Sequence, residues 1–262
     1  MSIQGSEGCR SSGPTRDSSS SWWRRRHAAV EIRRCFSEFG ATAVLTTMAL
    51  GSVFVSRRLF PYESEARMAF SLVALTTALS AFFVLVPVVQ VSVNPVVAVA
   101  EWMLERRSGP TFTRTVLRVT TQQFGAIAAT ALVGSIAAGH STRVISRNPG
   151  ALEVFAEFLT AGGFVALALA LVTRRLVSAV VLGSYLAISA SWVGAQFLGN
   201  PALVVGYLFL ADSTLALLDA SVIMTAQLGG CIIGFGLVTG LLPMTADRFD
   251  ATARSARRTI GG

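Results

Sequence analysis

The sequence predicts an all-α membrane protein made of two inverted halves, each with three full spans and one half-helix. Three observations carry that expectation: long uncharged runs, an Asn-Pro dipeptide inside each of the two longest runs, and an uneven distribution of arginines.

The chain has 262 residues, of which 52% are hydrophobic and only 14% charged. Soluble domains carry about 25% charged residues. Uncharged stretches run from Phe39 to Ser56, Met68 to Ala100, Val119 to Thr142, Phe158 to Thr173, Leu176 to Ala211 and Ala220 to Ala246. A bilayer span needs about 20 apolar residues, and soluble helices rarely sustain such runs. A lipid bilayer is therefore the expected surrounding.

Every Lys/Arg position is Arg, and the net charge is +8. The arginines flank apolar runs, which fits topology signals and gives no reason to expect nucleic acid. With the N-terminus cytoplasmic, the inner segments hold Arg10, Arg16, Arg24 to Arg26, Arg33, Arg34, Arg106, Arg107, Arg114, Arg118, Arg174, Arg175, Arg248, Arg254, Arg257 and Arg258. Only Arg57, Arg58, Arg67, Arg143 and Arg147 fall outside. Both termini are then expected in the cytoplasm, in a multi-pass protein of the plasma (inner) membrane.

Residues 1–34 read as a disordered basic tail, with Met1 to Ser21 rich in Ser and Gly. Trp22-Trp23-Arg24-Arg25-Arg26 suits an interfacial anchor or a solvated basic segment. No signal peptide is expected, because the first apolar run begins late. Residues 35–142 form a first repeat, 143–246 a second inverted one, and 247–262 a cytoplasmic tail. Cys9, Cys35 and Cys231 have no paired spacing, so neither a disulfide framework nor a metal site is expected.

The second and fifth runs, about 33 and 36 residues, exceed one span and fall short of two. One contains Asn94-Pro95, the other Asn200-Pro201. Asn is a good N-cap, and Pro suits the first helical position. Each run therefore reads as a full span, a dip into the membrane, and a short helix starting at the Asn-Pro. Irregular backbone at that depth must be buried in protein or line a wet cavity. Asn148-Pro149-Gly150, in an Arg-bearing loop, reads only as a turn.

The halves share further landmarks. Glu38-Phe39 opens the first span and Glu157-Phe158 the fourth, while Gln123-Phe124-Gly125-Ala126 in the third pairs with Gln227-Leu228-Gly229-Gly230 in the sixth. Offsets between equivalents are about 119, 106 and 104 residues. With three spans per half, the second half enters from the opposite face, an inverted repeat. Glu38 and Glu157 are expected to brace the dips by accepting backbone hydrogen bonds, with Gln123 and Gln227 assisting. Gly125, Gly134, Gly229, Gly230 and Gly234 suit close helix packing. Asp212 and Asp219 are expected in a solvated loop.

Half-helices entering from opposite faces meet N-terminus to N-terminus. Their unsatisfied N–H groups and partial positive charge repel cations, while the amides of Asn94 and Asn200 can donate to a passing neutral solute. No nucleophile, base and orienter cluster can be assembled, so no catalytic residue is expected. Nor is an interior acid or base expected that could couple ion flow, which disfavours a secondary carrier.

Ser92-Val93-Asn94-Pro95-Val96-Val97-Ala98-Val99-Ala100 resembles the first Asn-Pro-Ala box of the major intrinsic proteins, the aquaporins and glyceroporins, and Gly199-Asn200-Pro201-Ala202 resembles the second. Glu38-Phe39-Gly40-Ala41-Thr42, Glu157-Phe158-Leu159-Thr160-Ala161 and Gln123-Phe124-Gly125-Ala126 are similar to that family's other motifs. The likeness spans about Glu38 to Pro243. It implies an aquaporin-like fold of six spans and two re-entrant half-helices, no cofactor, and a homotetramer with one pore per subunit. The central constriction would comprise Asn94, Pro95, Val96, Asn200, Pro201 and Ala202. The selectivity filter would fall on Ala74, Ile188, Phe197 and Leu203, counted without gaps. Leu203 stands where the family usually has Arg, so the filter would be apolar and poor for water, which loses hydrogen bonds there. The expected function is a passive channel for small uncharged solutes. A secondary carrier or a transport-inactive scaffold of the same fold are the alternatives.

Overall fold

The computed structural model describes residues 17–60, 62–89, 92–104, 112–136, 150–171, 175–193, 197–210 and 215–241. Within these residues, eight α-helices and one π turn follow in order: α1 Asp17–Leu59, α2 Ser64–Val89, α3 Pro95–Leu104, α4 Phe112–Ile136, α5 Ala151–Ala170, α6 Arg175–Ile188, the π turn Ser189–Val193, α7 Pro201–Leu208 and α8 Leu217–Leu241. Among the described residues there is no strand.

By length and composition, parts of four helices can cross a membrane: Ala29–Leu59, Ser64–Val86, Ala151–Ala170 and Leu217–Leu241. α4 has 25 residues, but Arg114 and Arg118 lie within it. α6 is shorter, at 14 residues, and continues into the π turn. Large apolar side chains such as Phe36, Val73, Phe124, Phe155 and Ile232 are exposed around the outside. Facing water they would be a liability; facing lipid chains they are expected.

The packing repeats. α1 packs along α4 and α5 along α8, while α2 packs against α6 between the two halves. The short helices α3 and α7 each touch both α4 and α8. Glycine makes the pairings close. A Cβ on Gly125 would strike the Phe39 carbonyl oxygen on α1, and one on Gly230 would strike that of Phe158 on α5. Gly234 likewise meets the Gly162 carbonyl, whereas Gly134 and Gly229 face only side chains.

Two expectations about element limits change. α1 begins at Asp17 and runs unbroken for 43 residues, about 64 Å at 1.5 Å per residue. Residues 17–34 are therefore helical, because once nucleated a helix extends one hydrogen bond per residue through a good former such as Arg and across a modest one such as Ser. Glu38 consequently lies well inside a helix rather than opening one. Asp219 sits in the first turn of α8, where a carboxylate complements the helix dipole, rather than in a loop. Residues 1–16, Arg106, Arg107, Arg143, Arg147, Asn148-Pro149, Arg174, Asp212 and the tail 242–262 lie outside the described residues.

Candidate pore and its supports

The two Asn-Pro dipeptides start the two short helices. Asn200 caps α7 with extended backbone, its side-chain oxygen accepting from Ala202 N at 2.9 Å, with Pro201 in the first turn. Asn94 does the same for α3, accepting from Val96 N at 3.0 Å. The caps also reach across the repeat. Asn94 Nδ2 donates to Gly199 O, and Asn200 Nδ2 donates to Val93 O, each at 3.2 Å. The two N-termini thus abut at the centre, with Asn94 and Asn200 both buried. Pro95, Val96, Pro201 and Ala202 are buried beside them.

The chain turns sharply just before each cap. Val93 has φ 51° and Leu198 φ 54°, with Gly199 at φ 61°. A β-branched residue in the left-handed region is rare, and such strain costs about 1–3 kcal/mol unless the surroundings hold it.

Two carboxylates do the holding. Glu38 accepts from Ser92 N at 3.1 Å, from Val93 N at 3.2 Å and from the Ser92 hydroxyl. Glu157 accepts from Phe197 N at 2.6 Å and Gly199 N at 2.9 Å. Each also receives one glutamine amide, Gln227 on Glu157 at 2.8 Å and Gln122 on Glu38 at 2.7 Å.

The glutamine is a correction. Gln123 was expected to support the first dip, but its neighbour Gln122 does so; Gln122 is fully buried and Gln123 is not. Gln122 and Gln227 are 105 residues apart, as are Gly125 and Gly230. That register matches the Asn offset of 106 better than 104 does, and the offset alone could have selected Gln122.

Arg118 was expected at the inner membrane face. It is only 2% exposed, inside the protein one turn before Gln122. Nε donates to Glu38 at 2.9 Å, and Nη2 to both the Ser92 hydroxyl and Glu101 on α3, each at 2.9 Å. A buried cation is tolerable only when paired this closely. The interior of the helical bundle therefore holds both an acid and a base, contrary to expectation. Thr115, Arg118, Gln122, Gly125 and Ala129 recur every three or four residues on one buried face; that period was the available signal for Arg118.

Among the described residues, the second half lacks this cluster. Seven residues past each cap stand Glu101 and Tyr207; 105 residues past Arg118 stands Ile223, which is buried. Charge in one repeat is replaced by an apolar side chain and a phenol in the other.

Beside α7 lies a cavity of about 120 Å³. Ala49, Ser52 and Val53 of α1, Leu75 of α2, Ala190 of the π turn, Leu198 and Tyr207 line it. The ungapped filter positions coincide with this lining at none of their four places. Phe197 and Leu203 are buried close by, Ala74 adjoins the lining Leu75, and Ile188 is 46% exposed between buried Ala187 and Ser189. A π turn takes more residues than an α turn, so counting back from Asn200 through it loses register. Among the described residues, no group of three or more His, Cys, Asp or Glu could hold a metal ion.

No protein-family model matches the chain, and no curated protein does so either. Among solved structures, the chain is similar to the X-ray structure of the aquaglyceroporin from Plasmodium falciparum, with a TM-score of 0.60 at 16% sequence identity. The match covers 82% of this chain and 98% of that chain. The likeness establishes a shared fold: the chain is an all-α membrane protein of aquaporin-like architecture.

Proposed function

We propose that the protein is a passive transmembrane channel for small uncharged solutes, with Asn94 and Asn200 at its narrow centre. The observation that carries this reading is the meeting of two capped half-helices. Each Asn amide has two N–H hydrogens and spends one on the opposite loop. The second remains for a solute, and the paired positive helix ends oppose a cation. The fold shared with an aquaglyceroporin supports the same reading.

The apolar Leu203 argues against fast water flow, since a pore without hydrogen-bond partners imposes a desolvation cost. The reading includes a homotetramer with one pore per subunit, and the arginine pattern supports both termini on the cytoplasmic side of the plasma (inner) membrane. A second reading, a secondary carrier, draws on the buried Glu38–Arg118–Glu101 cluster, since intramembrane acids and bases serve ion coupling in carriers.

Liposomes holding the purified protein, challenged osmotically with glycerol, urea and sucrose and followed by light scattering, separate these readings. A channel admits glycerol or urea without saturation and without an ion gradient, and excludes sucrose. Uptake that requires a proton or sodium gradient transfers the protein to the carriers. Traces matching empty liposomes leave a transport-inactive scaffold.

A further inference from the structure

The cavity beside α7 has a one-sided chemistry. Five of its seven lining residues are Ala, Val or Leu. Of the other two, Ser52 gives its hydroxyl hydrogen to Ala49 O at 2.9 Å, so that oxygen is left as an acceptor. Tyr207 is the other polar side chain of the lining. Its ring stands edge-on to Phe197, with centroids 5.1 Å apart at 81°. The helix beneath it is fixed, because Gly206 lies against Thr130 and Ala126 of α4.

The repeat symmetry pairs position 207 with a charged residue of the first half. Its counterpart Glu101 is tied to the buried Arg118 in a half-buried ion pair. Where the first repeat has that arginine, the second has the apolar Ile223, so Tyr207 does not share Glu101's ion pair.

A water needs two to four polar partners, and each unpaired hydroxyl of a polyol is costly in an apolar site. Two side-chain hydroxyls, one with its hydrogen already spent, are fewer than the three hydroxyls of glycerol. They suit a molecule with a single hydrogen-bonding head and a short hydrocarbon body, which the apolar walls take from water. We propose that this cavity is a subsite for small neutral solutes of that kind, short-chain primary amides among them, and that Tyr207 is the residue that selects them. The solute's carbonyl accepts from the phenol, and its N–H donates to the Ser52 oxygen. This proposal rests on the channel reading above.

The test compares entry of propionamide and glycerol into liposomes carrying the full chain, with empty-liposome leak subtracted. The native protein is expected to favour propionamide, and Tyr207→Phe to lower that preference about five- to tenfold, as expected for one lost hydrogen bond. Ala190→Leu, which fills the cavity, should slow propionamide as well. Circular dichroism and gel filtration check folding, and Ser52→Ala reads the same site if Tyr207→Phe does not fold. Unchanged ratios in the variants, or native preference for glycerol, overturn the subsite while leaving the channel intact. Absence of any solute flux removes the channel reading and this proposal with it.

Discussion

Asn94 and Asn200 hold each other's loops: each amide donates to the carbonyl oxygen of the residue that precedes the other, Asn94 to Gly199 and Asn200 to Val93. The relationship is reciprocal, so damage to one cap loosens the start of both half-helices.

Replacing Asn200 by Ala removes the cap bond to Ala202 N and the bond to Val93 O. The expected loss is about 1–3 kcal/mol, read as a lower thermal midpoint in detergent. Asn200→Asp keeps a capping oxygen but loses the donor, and should fall between Asn200→Ala and the native protein. An Asn200→Asp variant less stable than Asn200→Ala would refute the capping role.

Arg118 neutralises Glu38, which is itself wholly buried. Arg118→Met strands that carboxylate, at an expected cost of about 3–5 kcal/mol. Adding Glu38→Gln should recover part of the loss, because the stranded charge disappears. If the double variant is worse than the single one by the full cost of Glu38→Gln alone, the two residues are not coupled.

Adjacent glutamines offer a sharp contrast. Gln122→Leu removes donors to Glu38 and Ser92 from a buried site and should cost about 1–3 kcal/mol. Gln123→Leu should change stability by less than half as much. Equal effects in urea or heat titrations would count against the register assigned to α4.

Gly230 leaves no room for a methyl group, because the obstacle is the backbone of Phe158. Gly230→Ala should lower the yield of folded protein severely, whereas Gly236→Ala, with nothing nearby, should be tolerated. Fluorescence-detected gel filtration of both variants gives the answer directly.

Leu203 is buried one turn before Tyr207 on α7. Leu203→Arg should narrow the passage and raise water permeation relative to larger solutes, read by osmotic swelling rates. Unaltered conductance in that variant would remove Leu203 from the selective region.

Much of this was legible in the sequence because the fold repeats itself. Asn-Pro pairs and Glu-Phe pairs recur with chemistry that has few uses inside a membrane, so each copy supported the other. Gln122 was missed because two glutamines stand side by side and only a one-residue offset separates them. Arg118 was missed for a different reason. Its partners, Glu38 and Glu101, are brought to it by packing, and an arginine bordering an apolar run looks the same whether it faces solvent or a buried carboxylate. Ile188 stands half-exposed outside the cavity lining, just before a π turn that changes the number of residues per turn, which no spacing argument anticipates. The cavity at Tyr207 could not be seen at all, since it exists only where α1, α2 and α7 converge.

Val93 and Leu198 sit in a backbone shape that neither would adopt alone. Val93 is held by Glu38, which precedes it by 55 residues, and Leu198 lies between the two N–H groups that Glu157 binds. As the chain is synthesised, each carboxylate therefore enters the bilayer before the bend it must secure. The glutamines that complete the grip arrive later, on α4 and α8. Assembly is thereby ordered in time: the helical rods insert first, and the dips can lock only once the last rod of their own half has come alongside.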